Sequence, residues 1–115
     1  HCALTAETKN RFNLHAFRQM KPSSIFINTA RGGIHVEEDL RTALEQNCIW
    51  GAGLDVTNPE PMMANNPLLD MPNVCILPHI GSATVEARSA MSRLAAENIV
   101  AIHEGRKMPN WVNPF

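Results

Sequence analysis

Hydrophobic and polar positions along this chain change period several times, and the changes mark out alternating helical and strand segments. Residues 24–28, Ser-Ile-Phe-Ile-Asn, form a short apolar run rich in β-formers, which predicts a buried strand. Residues 49–56 and 74–77 read the same way, with Gly51 and Gly53 suited to close packing beneath a helix. Between the strands, Leu14, Phe17 and Arg18 share neighbouring turns of a short helix over 14–20, which Lys21-Pro22 ends. Glu37, Glu38 and Asp39 suit the positive end of a helix that runs through Leu40, Ala43 and Leu44 and stops near Asn47. Thr5 reads as the N-cap of a further helix over 5–10. From Ser82 onward, Ala87, Ala90, Met91, Leu94, Ile99 and Ile102 recur at helical spacing, predicting a long helix with one buried face and Gly105 as its stop. Pro59, Pro61, Pro67 and Pro72 make 57–73 mostly loop, and the tail from Met108 reads as extended, without a partner in the chain.

This alternation predicts an α/β fold with a mostly parallel sheet. Composition adds little except exclusions. At 44% hydrophobic and 18% charged, the chain is not of the disordered class. A net charge of −1, with both signs interspersed, gives no reason to expect nucleic acid or an anionic membrane surface as a partner. No apolar run reaches the length of a membrane span. Cys2, Cys48 and Cys75 are odd in number and widely spaced, so neither a disulfide framework nor a metal site is expected. Cys75, within an apolar run, reads as a buried small hydrophobe, and a reduced cytoplasmic setting follows. The opening His-Cys-Ala-Leu-Thr, without an initiator methionine, reads as a chain cut from a longer one.

Three polar residues share a topological position. Arg31, Glu60 and His79 each follow a predicted strand, and in an open parallel sheet the ligand crevice lies at the carboxyl ends of the strands. An arginine fork grips a carboxylate bidentately. A histidine moves a proton to or from a substrate oxygen near neutral pH, and a carboxylate on its far nitrogen fixes its tautomer. Together they suit reduction of a 2-oxo acid or oxidation of a 2-hydroxy acid. Each alone has an ordinary reading: a surface arginine, a solvated loop glutamate, a packed histidine. His15, His35 and His103 lie in helical or helix-flanking stretches without acidic partners at ligand spacing, and read as surface residues.

The motifs Ile27-Asn-Thr-Ala-Arg-Gly-Gly33, Gly53-Leu-Asp-Val-Thr-Asn-Pro-Glu-Pro61 and Leu77-Pro-His-Ile-Gly-Ser-Ala-Thr84 carry a resemblance. The chain resembles the D-isomer-specific 2-hydroxyacid dehydrogenase family over nearly its whole length, most of all the glyoxylate/hydroxypyruvate reductase branch. The resemblance implies the C-terminal part of a Rossmann-like, doubly wound parallel sheet. Residues 1–104 would belong to the NAD(P)-binding domain and 105–115 to a tail returning toward a substrate domain. It further implies that Arg31 binds the substrate carboxylate, His79 is the acid/base and Glu60 orients it. Cys2, Thr29, Ala30, Arg31, Asp55, His79, Ile80, Gly81 and Ser82 would border NAD or NADP, with a departure at Ala3, where relatives often have proline. The implied substrate is a small 2-oxo or 2-hydroxy acid, and the implied assembly a homodimer. No G-x-G-x-x-G occurs here, nor a residue assignable to the adenosine ribose; the resemblance places both upstream. It also leaves a second role open, that of a non-catalytic NAD(H)-sensing module like the C-terminal binding protein corepressors.

Overall fold

In the computed structural model, which describes residues 2–112, three short strands pair in parallel. They are β1 (Ile25–Asn28), β2 (Gly51–Leu54) and β3 (Val74–Ile76), in the order β1-β2-β3. Asn28 lies beside Leu54 and Leu54 beside Ile76, so all three strands end along one edge. The parallel α/β architecture expected from the alternating pattern is therefore present. The chain divides into two compact units, one reaching to Ile80 and one beginning at Gly81; the sheet lies in the first.

Local chemistry explains the helices of that first unit. Asn13 accepts from the Ala16 amide at 3.1 Å and so starts α1 (Leu14–Arg18). In α2 (Glu37–Glu45) the capping position is held by Val36, which supplies no side-chain bond, and three acidic residues fill the first turn instead. Asp39 also accepts from the Leu14 amide at 2.9 Å, which ties α2 to the start of α1. Phe17, Leu40, Ala43 and Leu44 from these helices pack with Phe26, Ala52 and Leu54 from the sheet, and with Ile49 and Leu68. Phe26 meets Phe12 and Phe17 at ring distances of 5.1 and 5.2 Å. Burying each of these large side chains contributes about 1.5–3 kcal/mol.

Several expectations need correction. Residues 5–10 form turns, not a helix: Thr5 and Thr8 satisfy each other's polar groups, and Asn10 enters the left-handed region at φ 55. β1 is covered on one side only, with Phe26 and Asn28 inward while Ile25 and Ile27 stay 52% and 60% exposed. Cys75 is likewise exposed, not buried. The strand glycines serve their neighbours in the sheet and not a helix: a Cβ on Gly51 would lie 2.7 Å from the Asn73 carbonyl oxygen, and one on Gly53 would lie 2.8 Å from Ile27.

The second unit is built on α3 (Val85–His103), capped by Thr84, whose Oγ1 accepts from the Ala87 amide at 3.1 Å. The helix thus begins at Val85, after its cap at Thr84, and not at Ser82. Gly105, at φ 68, ends it as expected, with the Arg106 amide reaching back to the Ala101 carbonyl at 2.8 Å. The buried face is not there: Ala101 is buried, whereas Met91, Ile99 and Ile102 are more than half exposed. Val85, Ala95 and Val100 spread apolar surface beyond a single stripe, and such a helix needs cover on several sides. Nor is the tail without partners, since Asn110 and Asn98 exchange two hydrogen bonds of 3.1 and 3.2 Å. Residues 113–115 of the expected extended tail lie outside the described residues. Among the described residues, no helix is long and apolar enough to cross a membrane.

Candidate active site

The site begins where β1 ends. Asn28 is 5% exposed, and its Oδ1 accepts from the Ala30 amide at 3.0 Å. Its Nδ2 donates to the Arg31 carbonyl, also at 3.0 Å. These bonds fold the chain into a tight turn of the kind asparagine favours, and Arg31 leaves it with its side chain exposed. One guanidinium nitrogen donates to the Ala30 carbonyl at 2.7 Å. The next residue has no room for a side chain: a Cβ on Gly32 would sit 2.0 Å from the Thr57 carbonyl oxygen. The loop after β1 is thereby pressed against the loop after β2.

That second loop starts with the buried residues Asp55, Val56 and Thr57. Thr57 donates its hydroxyl to the Pro59 carbonyl at 2.8 Å, which bends the chain and turns Glu60 outward. After β3 and Pro78, His79 adopts φ 54, a left-handed conformation that few residues other than glycine take. The Asp55 carboxylate holds this turn by accepting from the Ile80 amide at 2.7 Å. His79 Nδ1 is hydrogen-bonded to the Glu60 carboxylate, and both side chains are about two-fifths exposed, at 43% and 40%.

The expected residues gather in two recesses. Asp55, Thr57, Glu60, Met62, Leu77 and His79 line a cleft of about 450 Å³. Cys2, Thr29, Ala30 and Arg31, with Ala3 and Leu4, line another of about 680 Å³. Arg31 and His79 therefore share an edge but not a recess: they follow β1 and β3, two strand spacings or about 10 Å apart. Ile80 takes part through its amide, while Gly81 and Ser82 begin the second unit.

Sequence reasoning misplaced one residue and overlooked two. His35 is not at the surface: it is 1% exposed, packs against Phe26 at a ring distance of 5.6 Å, and faces Asn28 Nδ2 through Nδ1 at 3.0 Å. Its segment pairs with Phe12, whose carbonyl accepts from the Val36 amide at 3.0 Å, and this pairing carries His35 into the core. Burial lowers its pKa from 6.5 to about 4. Asn28 and Gly32 were not singled out as site residues, although an asparagine closing an apolar run four residues before Gly32-Gly33 is a turn signal.

Parallel strands whose polar loops converge on one carboxyl edge define an α/β domain of the ligand-binding, open-sheet class. A profile described as "D-isomer specific 2-hydroxyacid dehydrogenase, NAD binding domain" matches residues 1–81. The chain belongs to the D-isomer specific 2-hydroxyacid dehydrogenase family. It is 48% identical over 109 residues to the human glyoxylate reductase/hydroxypyruvate reductase, covering 95% of this chain and 33% of that protein. Its fold matches the crystal structure of the TT0316 protein from Thermus thermophilus with a TM-score of 0.94 at 45% identity, covering 98% of this chain and 36% of that one. An NADPH-dependent glyoxylate/hydroxypyruvate reductase from Sinorhizobium meliloti, in complex with NADP and malonate, matches with a TM-score of 0.80 at 42% identity, covering 84% and 30%. The chain thus spans about a third of the length of the relatives it matches.

Proposed function

We propose that the native protein containing this chain is an oxidoreductase acting between NAD(P)H and a small 2-oxo acid, of the glyoxylate and hydroxypyruvate kind, or the matching D-2-hydroxy acid. The observation that carries this reading is the His79–Glu60 hydrogen bond on the same sheet edge as the Arg31 guanidinium. With Nδ1 held by Glu60, Nε2 of His79 is the atom that gives a proton to the substrate oxygen in reduction and takes it back in oxidation. Glu60 fixes the tautomer and steadies the charge the ring gains in the reverse direction. Arg31 binds the substrate carboxylate through its fork and so presents the 2-oxo carbon to the cofactor.

The recess at the end of β1 suits a dinucleotide. Thr29, Ala30 and Cys2 are small, and no acidic side chain lines the recess to repel phosphate. These residues would hold NAD(P), with Asp55 and His79 toward its nicotinamide end and Ile80 bordering it. When bound, the cofactor supplies or accepts the hydride. The relative in complex with NADP and malonate, itself a small carboxylate, supports a site for both kinds of ligand. A homodimer in the cytoplasm is the setting we propose; the three cysteines, all unpaired, agree with a reducing compartment.

The test is NADH and NADPH oxidation by the native protein with glyoxylate, hydroxypyruvate and pyruvate. Strong turnover of the first two is expected. Cofactor binding without turnover of any would replace this reading with a non-catalytic, cofactor-sensing one.

A further inference from the structure

We infer that Asn28 and His35 form a positioning pair that holds the main chain of Arg31 where its guanidinium grips the substrate carboxylate, an inference that rests on the reading of Arg31 given above. The Asn28 amide makes three bonds, each of 3.0 Å: Oδ1 accepts from Ala30 N, and Nδ2 faces both the Arg31 carbonyl and His35 Nδ1. Both ends of the Ala30-Arg31 unit therefore hang from one side chain. That side chain needs a single orientation, because a flipped amide would set Oδ1 against the Arg31 carbonyl. His35 Nδ1 supplies the acceptor that settles the choice.

The ring is a poor choice for packing alone. With Nδ1 accepting, its proton sits on Nε2, which is buried without a hydrogen-bond partner among the described residues. An apolar side chain of similar size would bury no polar atom. What the histidine adds is the acceptor for Asn28, and burial keeps that acceptor available by favouring the neutral ring at neutral pH.

The experiment is steady-state kinetics of the native protein beside His35→Leu and His35→Gln. Leucine is expected to raise KM for the 2-oxo acid roughly threefold to tenfold, the effect of one lost hydrogen bond. Both kcat and the KM for NAD(P)H should stay within about twofold of wild type. Glutamine, whose Oε1 accepts from Asn28, is expected to restore the lower KM. A merely structural role gives the opposite split, with less active enzyme and so a lower apparent kcat at unchanged KM, and would overturn the pairing. If His35→Leu does not fold by circular dichroism, His35→Phe, similar in shape and without the acceptor, carries the same test. Wild-type turnover with substrate KM unmoved in the variants sinks this inference alone. Absence of wild-type turnover with any 2-oxo acid sinks the reading of Arg31, and the inference falls with it.

Discussion

His79 shows how much holding a single site residue needs. Its left-handed backbone costs of order 1–3 kcal/mol, offset by the bond from the Ile80 amide to Asp55 and by the bond to Glu60. A ring fixed at both its backbone and its far nitrogen has little freedom to drift from the substrate. His35 is a second histidine under constraint, and its constraint reads out in stability. Its folded pKa, about 4, lies below its ordinary 6.5, so the unfolded chain binds the extra proton between those values. The stability tied to the neutral ring is present in full above pH 6.5 and lost as pH falls toward 4. Against His35→Leu, wild type should lose roughly 3 kcal/mol over that window in urea unfolding; parallel pH curves would refute it. Arg31, Glu60 and His79 were legible because each interrupts or follows an apolar run. The Asn28–His35 bond was not, because it joins the end of β1 to a residue beyond the 3-10 turn at Gly32–Ile34, and no period of a single element relates the two.

The elements carry these residues to one edge by register and by one tight contact. Gly32 lies so close to the Thr57 carbonyl that the loops after β1 and β2 leave no room for a side chain between them. Gly32→Ala should force them apart, costing about 1–3 kcal/mol of stability as overpacking does. It should also lower kcat/KM at least about tenfold, since displacing a substrate-positioning group can cost a hundredfold. Thermal unfolding and kinetics at wild-type levels would show that the contact is not needed. Strands were legible from short apolar runs, and α2 from its acidic first turn followed by apolar spacing. The failures had local causes. Thr5 and Thr8 bond to each other and make a turn out of a capping signal, and Thr84 caps α3 where Ser82 was expected to begin it.

For the whole molecule, apolarity was legible but cover was not. Ile25, Ile27 and Trp50 are exposed, as are Met91, Ile99 and Ile102, because a sequence pattern says which side chains avoid water and not what shields them. The chain spans about a third of its relatives, and within it the loops after three strands bring a histidine–glutamate pair and an arginine to one sheet edge. In the proposed function, His79 moves the proton in a 2-oxo acid reduction. The most direct test compares wild type with His79→Ala in the native protein, following NAD(P)H oxidation with glyoxylate and hydroxypyruvate and cofactor binding by fluorescence. His79→Ala is expected to lose kcat by about 10²- to 10⁴-fold with cofactor binding retained. Turnover by His79→Ala within a few fold of wild type would contradict that role.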